Sequence, residues 1–77
     1  MMELQKFITN FAEQFEDTKM SEFSKETVFS ELEEWSSMTL LSIIAMVDEE
    51  YEVTLKGDDI RSVTTIEDLF KLVKSRK

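Results

Sequence analysis

The sequence predicts an all-α fold, a small helical bundle of three main helices plus one short helix. Three apolar patterns with a spacing of about 3.6 residues support this fold class, one near each end of the chain and one in the middle. No strand of convincing length is predicted, because the stretch 52–55 is short and isolated. No Pro-, Gly- or Ser-rich linker and no internal repeat divides residues 1–77, so we expect a single domain.

The first helix is predicted from about Glu3 to about Glu16. Its apolar residues recur at i, i+3, i+4, i+7 and i+11, which places them on one face of a helix. These residues are Leu4, Phe7, Ile8, Phe11 and Phe15. Because this face is largely aromatic, we expect it to pack in the core rather than to bind a cofactor.

The connection from Asp17 to Ser36 has no helical period. Connections longer than about 12–15 residues are uncommon in small domains unless they are functional or held in place. We therefore expect a short helical turn between Ser30 and Trp35, and apolar side chains that anchor the connection to the core. The single Trp either packs under the connection or stays partly exposed, and a small core favours packing. The expected anchors are Met20, Phe23, Val28, Phe29 and Leu32.

The central helix is predicted to begin at Ser36 or Ser37 and to end near Tyr51. A serine at the N-cap accepts a hydrogen bond from a free backbone N–H of the first turn. If Ser36 is the cap, the Ser37 hydroxyl points outward at the positive end of the helix, where a phosphate is favoured. Taken alone, the two serines also fit an ordinary helix start without chemistry. The apolar face comprises Leu40, Ile43, Ile44, Val47 and Tyr51, widened by Leu41 and Met46.

The short helix is predicted after Gly57, the single glycine of the chain. Asp58 or Asp59 is expected to cap one helical turn that ends near Ser62. The last helix is predicted to begin at Thr65, where a capping arrangement with Asp68 is possible, and to run to about Lys74. Its apolar stripe comprises Ile66, Leu69, Phe70, Leu72 and Val73.

The composition excludes several classes of function. Seventeen acidic residues against nine basic residues give a net charge of −8, which argues against binding to nucleic acid or anionic membranes. The absence of Cys and His removes disulfides, common metal ligands and the commonest general base, so we do not expect an enzyme. Without a basic leader segment or an apolar stretch of about 18 residues, we expect a cytoplasmic, soluble monomer.

The acidic residues are unevenly distributed along the chain. Residues 1–36 carry nine acids and three bases, residues 37–53 carry four acids and no base, and residues 54–77 carry four acids and six bases. The run Asp48-Glu49-Glu50 opposes the dipole at the end of the central helix, so it is not there for stability. It is either a docking feature for basic partner proteins or a solvated face.

The segment around Ser37 resembles the acyl carrier protein family, the phosphopantetheine-binding carrier proteins. Trp35-Ser36-Ser37-Met38, followed by the apolar helix that ends in acids and Tyr51, is similar to the family signature of Asp-Ser-Leu and a long amphipathic helix. The length, the acidity, the long connection and the helix start at Thr65 also match, so the resemblance covers nearly the whole chain. Two positions depart from the pattern, Ser36 in place of Asp and Met38 in place of Leu.

This resemblance implies a carrier that is not itself an enzyme. Ser37 would carry 4′-phosphopantetheine, transferred from coenzyme A by a separate phosphopantetheinyl transferase. Acyl intermediates would be held as thioesters for acyl-transferring and chain-elongating enzymes of fatty acid or related polyketide-type biosynthesis. The resemblance also implies that apolar side chains shelter the acyl chain between helices, and we expect Leu41, Ile44 and Ile60 to do so.

Two alternatives remain open at the level of the sequence. The chain could be an aminoacyl or peptidyl carrier, or a carrier-like adaptor that is never modified and binds a partner protein. Thr39 and Ser42 favour the adaptor, because these positions are often acidic in the family and help to recruit basic enzymes. A hydrolase with Ser37 as nucleophile is disfavoured, because no His is present to activate the hydroxyl.

Overall fold

The computed structural model describes residues 3–77 and consists of four α-helices. Met1 and Met2, which contributed to the expectation about a leader segment, lie outside the described residues. The helices are α1 (Leu4–Ala12), α2 (Ser37–Tyr51), α3 (Gly57–Arg61) and α4 (Ile66–Arg76). Residues 3–77 form no strand apart from an isolated antiparallel bridge between Val28 and Thr65. The prediction of three main helices plus one short helix is confirmed.

Helix α1 ends earlier than predicted, although its apolar face continues beyond it. The helix ends at Ala12, and the chain then tightens into a turn in which the Phe15 N–H donates to the Ala12 carbonyl at 3.0 Å. The tighter turn still directs Phe15 into the core, where its ring stacks on that of Phe11 with the centroids 5.5 Å apart. Five apolar residues with helical spacing therefore predicted the buried face correctly and the end of the helix incorrectly.

The long connection between α1 and α2 is held to the core by aromatic side chains. Phe23 and Phe29 are buried, and short 3₁₀ turns occur at Met20–Glu22 and Phe29–Glu31. The helical turn predicted between Ser30 and Trp35 is therefore present, but it lies slightly earlier in the chain, at Phe29–Glu31. Met20 is 53% exposed, so its prediction as an anchor was wrong. It begins a 3₁₀ turn in which none of the three residues is buried.

The same connection also supplies acceptors for the start of α4. The Ile66 N–H donates to the Thr27 carbonyl at 3.1 Å, and the Glu67 N–H donates to the Lys25 carbonyl at 3.0 Å. These N–H groups belong to the first turn of the helix, where no partner within the helix is available. The predicted capping arrangement is confirmed as well, since Thr65 Oγ1 accepts from the Asp68 N–H at 3.1 Å and Asp68 Oδ2 accepts from the Thr65 N–H at 3.3 Å.

Helix α2 lies at the centre of the core. Its buried face differs from the predicted apolar face at one residue, Leu41. Leu41 is 63% exposed, whereas its neighbour Leu40 is buried. Successive residues of a helix are rotated by about 100°, so Leu41 lies well to one side of the buried stripe. Ile44 is partly buried and packs against the core. The buried residues of the helix are Leu40, Ile43, Met46, Val47 and Tyr51.

Helix α3 is a short link between α2 and α4 that begins differently from the prediction. Lys56 is the N-cap residue. Asp59 is the third residue of the helix, and its carboxylate accepts from the Lys56 N–H at 2.9 Å. Neither predicted aspartate is therefore the cap. Asp59 also receives two hydrogen bonds from the Arg76 guanidinium, at 2.8 and 2.9 Å, which connect α3 to the last turn of α4. Ile60 is fully buried beneath this link.

The core is dominated by aromatic rings from α1 and the long connection. Phe7 and Phe11 are fully buried, and Phe7 contacts Tyr51 and Phe70 with centroid distances of 5.5 Å in each case. The Tyr51 hydroxyl remains satisfied because it accepts from Asn10 Nδ2 at 3.0 Å. Within residues 3–77, no helix has the length and apolar character that crossing a bilayer requires.

Candidate functional site

Ser36 is the residue that starts α2. Its backbone is extended (φ −155°, ψ 175°), and its Oγ accepts from the Thr39 N–H at 3.3 Å. The Thr39 hydroxyl lies 3.2 Å from the same Oγ and donates to the Glu34 carbonyl at 2.8 Å. Of the two possible capping serines, Ser36 is therefore the cap. The Thr39 hydroxyl connects this first turn back to the preceding segment.

Ser37 is the first residue of α2, and its side chain is exposed. Because Ser36 performs the capping, the Ser37 hydroxyl makes no hydrogen bond to any other residue in the range 3–77. No acidic residue occurs in the first turn of the helix. The site is thus an accessible hydroxyl at the positive end of a 15-residue helix, without a base in contact with it.

The outward surface of α2 next to Ser37 is apolar. Met38 is 78% exposed and Leu41 is 63% exposed, and the exposed Ala45 follows on the same side of the helix. We call Met38, Leu41 and Ala45 the outer face of α2. Residues 35–47 contain no charged side chain, although the chain as a whole carries a charge of −8. The outer face is therefore an uncharged surface on an acidic protein.

The C-terminal end of α2 has the opposite character. Asp48, Glu49 and Glu50 are all exposed, and Glu49 and Glu50 line a groove between α1 and α2 together with Glu13. Within residues 3–77, no ion pair involves these three side chains. The acidic end and the outer face lie on one continuous helix.

Trp35 packs in the manner favoured by the sequence. Its ring lies 5.0 Å from that of Phe29 and 6.5 Å from that of Phe15, and the residue is half-buried. One edge borders a cleft of about 140 Å³ that is also lined by Ile60 and Val63. Of the three residues expected to shelter an acyl chain, Ile60 lines this cleft, Ile44 is partly buried, and the exposed Leu41 does not line it.

Glu34 is a residue of the site that the sequence did not reveal. Its carboxylate accepts from the backbone N–H of Glu16 at 3.2 Å, from the N–H of Asp17 at 3.0 Å and from the Thr18 hydroxyl. These hydrogen bonds, from the Thr18 hydroxyl first and the Asp17 N–H second, lower the pKa of the Glu34 carboxyl below its ordinary value. No periodicity or motif distinguishes Glu34 from Glu31 or the other acids of the first 36 residues, so the sequence contains no signal for its role.

A second acidic concavity lies beside Glu34 but does not form a metal site. Asp17, Thr18, Glu22, Glu33 and Glu34 line a shallow pocket on the surface. No group of three His, Cys, Asp or Glu side chains in the described part of the chain has a geometry that could hold a metal ion. The Glu34 carboxylate is instead occupied by backbone and hydroxyl donors.

No protein-family model, curated protein sequence or solved structure is significantly similar to this chain. Any functional conclusion therefore depends on the residues of the Ser37 segment and on their geometry.

Proposed function

We propose that this protein is a cytoplasmic carrier rather than an enzyme, and that Ser37 is its point of attachment for 4′-phosphopantetheine. A separate phosphopantetheinyl transferase would transfer this group from coenzyme A to the Ser37 hydroxyl. The observation that carries the proposal is the division of roles between two adjacent serines. Ser36 caps α2, and Ser37 presents an exposed hydroxyl that is not needed for the helix.

The residues around Ser37 fit a phosphodiester. The N–H groups at the start of a helix and the positive end of its dipole favour an anion, and the first turn of α2 holds no acid that would repel one. The Leu40 N–H already donates to the Ser36 carbonyl at 2.9 Å and the Thr39 N–H donates to Ser36 Oγ. The N–H groups of Ser37 and Met38 precede both and remain available. The prosthetic group would supply a thiol for thioester formation, which this chain without Cys does not have.

The surfaces beside Ser37 suit the partners of a carrier. Acyl-transferring and chain-elongating enzymes must bring an active site to the end of the arm, so they must contact the helix that bears it. The exposed side chains of Met38 and Leu41 are the nearest large apolar groups for such contacts. The acids at the far end of α2 suit basic residues on the same partners. Fatty acyl, polyketide-type, aminoacyl or peptidyl cargo all use the same thioester chemistry.

A carrier-like adaptor that is never modified is the second candidate. The observation that favours it is the neutral start of α2, where Ser36 and Thr39 hydrogen-bond to each other and offer no acid to a basic transferase. An adaptor would use the outer face of α2 to bind a partner protein without any covalent group.

Whole-protein mass spectrometry distinguishes the two candidates. After co-expression with a promiscuous phosphopantetheinyl transferase, we expect the wild-type chain and Ser36→Ala to gain the mass of one 4′-phosphopantetheine, and Ser37→Ala to gain none. A wild-type mass without the addition would favour the adaptor. Modification of Ser37→Ala together with loss in Ser36→Ala would place the attachment site one residue earlier. The mass of the protein purified from its native host would identify the cargo.

A further inference from the structure

The carboxylate of Glu34 is engaged by donors from a single turn of chain far from it in sequence. We call the hydrogen bonds from Glu16, Asp17 and Thr18 to this carboxylate the Glu34 clamp. The donors lie just after the turn that follows α1, which ends at Ala12. The clamp therefore joins the two ends of the long connection, whose middle is held by hydrogen bonds to the start of α4 and by aromatic side chains.

The backbone of Glu34 is hydrogen-bonded to α2. Its carbonyl oxygen accepts from the Thr39 hydroxyl at 2.8 Å, and Thr39 is in turn capped by Ser36. Ser37 lies between these two residues in the chain. A single residue thus connects the end of α1, through its side chain, with the first turn of α2, through its backbone.

The hydrogen bonds from Thr18, Asp17 and Glu16 favour the ionised form of Glu34, although other acids lie nearby. Asp17, Glu22 and Glu33 line the same pocket, and like charges at short range destabilise one another. An amide side chain would offer one acceptor oxygen in place of two, and its NH₂ group could not accept from any of the three donors. Only an ionised carboxylate satisfies the whole set.

We infer that Glu34 is a positioning residue for Ser37, one that holds the segment 34–39 against the end of α1 so that the attachment serine is presented in a single conformation. This inference rests on the proposed carrier function. When the clamp is lost, the chain should populate conformations that a transferase cannot bind. The apparent affinity then falls in proportion to the fraction of competent molecules, whereas the chemical step in the bound complex is unchanged.

The test compares Glu34→Gln with Glu33→Gln, which removes the same charge from the same pocket one residue earlier. With one phosphopantetheinyl transferase and coenzyme A, we expect KM for the Glu34→Gln protein to rise about tenfold with kcat within about twofold of wild type. Glu33→Gln should change KM by less than about twofold. Thr18→Val, which removes one donor and keeps the carboxylate, should give a smaller increase in KM of the same kind.

Amide hydrogen exchange supplies a readout that does not require modification of Ser37. In Glu34→Gln, we expect faster exchange at the Asp17, Thr39 and Leu40 amides, with no change at the amides of α4. Equal KM values for the Glu34 and Glu33 variants, or equal acceleration of exchange in α4, would overturn the positioning role. A wild-type chain that accepts no phosphopantetheine would overturn the carrier function instead, and exchange at Thr39 and Leu40 would still decide whether Glu34 holds this segment.

Discussion

At the scale of single residues, the site depends on hydroxyl groups with different tasks. Ser36 accepts a backbone hydrogen bond, Thr39 donates to Glu34, and Ser37 remains exposed. The spacing of apolar residues and the preference of helix starts for serine limited the N-cap to Ser36 or Ser37, and the structure assigns it to Ser36. The contacts of Thr39 and Glu34 were not predictable, because they join segments that have no common pattern in the sequence.

Leu41 shows that the burial of a single apolar residue cannot always be predicted from the sequence. Its apolar side chain fits a buried face as well as an exposed contact surface, and periodicity alone does not decide between the two. Only the packing of the neighbouring elements shows that the buried stripe of α2 is narrower than the apolar content suggested. The exposed Leu41 is consequently the residue of the predicted apolar face for which periodicity was misleading.

Under the proposed carrier function, replacement of Ser36 by Asp tests how a phosphopantetheinyl transferase recognises the start of α2. Asp and Ser are comparable N-caps, so we expect the free energy of unfolding to change by less than about 1 kcal/mol. The added negative charge beside the helix start should speed modification by a transferase that docks through basic residues, and the gain should shrink as NaCl is raised. The rate is followed by mass spectrometry at two NaCl concentrations.

Ser36→Asn is the matched control for this prediction, because Asn caps a helix as well as Asp but adds no charge. We expect it to be modified at the wild-type rate. If Ser36→Asp is no faster than Ser36→Asn, the native partner does not read charge at this position and recognises the segment through its shape or through Trp35.

At the scale of secondary structure elements, the helices were predictable and several of their ends were not. Caps made by neighbouring residues, such as Thr65 with Asp68, were visible in the sequence because capping follows a fixed spacing. The end of α1 and the start of α3 depend on a tightened turn and on Lys56, which carry no such signature. Beyond the end of α1, Phe15 still contacts the rings of Phe11, Phe23 and Trp35.

The C-cap of α2 offers a way to stabilise that element. Glu52 has a left-handed backbone (φ 57°, ψ 34°), which is unfavourable for residues with a Cβ, and its charge opposes the helix dipole. We expect Glu52→Gly to raise the free energy of unfolding by about 0.5–1 kcal/mol, as measured by urea denaturation. Glu52→Gln, which removes the charge and keeps the strained backbone, should give less than half of this gain. Equal gains would show that charge, not backbone conformation, limits this helix end.

The pairing of Asp59 with Arg76 is an element-scale contact that should respond to pH. The Arg76 guanidinium, followed by the Lys56 N–H, lowers the pKa of Asp59 in the folded state. A lowered folded-state pKa stabilises the fold above the pKa of the unfolded chain, about 3.9, and this stabilisation is lost as pH falls through the folded-state value. Asp59→Asn should therefore lower the thermal midpoint at pH 7 and converge with wild type below about pH 4.

Asp58→Asn is the control for this pH dependence. Asp58 is exposed and makes a single 3.4 Å contact with the exposed Arg61 on the same helix, so its loss should change the thermal midpoint much less. A pH-independent difference between Asp59→Asn and wild type would mean that Asp59 acts through the Lys56 cap geometry and not through its charge.

At the scale of the whole molecule, charge and packing make opposite contributions to the stability of the fold. Residues 1–53 carry thirteen acids and three bases, and both ion pairs found within residues 3–77 lie outside this region, at Asp58–Arg61 and Asp59–Arg76. The acids therefore repel one another with little local compensation, and the aromatic core has to offset that repulsion. The excess of acids is evident from the sequence. The groove that Glu13 shares with Glu49 and Glu50 could not be predicted from it, because that groove depends on how α1 packs on α2.

This balance predicts that salt stabilises the protein. At an ionic strength of 0.01 M the reach of a charge is about 30 Å, longer than the molecule is wide, and at 0.1 M it falls to about 10 Å. We expect the thermal midpoint to rise over this range, because screening weakens many repulsions and only two ion pairs within residues 3–77. The combined variant Glu13→Gln, Glu49→Gln and Glu50→Gln should melt higher than wild type at low salt and depend less on NaCl. If the midpoint of this variant depends on NaCl as strongly as that of wild type, the repulsion is spread over the surface rather than concentrated in the groove. If the midpoint of the wild-type protein falls as salt is added, its few ion pairs outweigh its excess of acids.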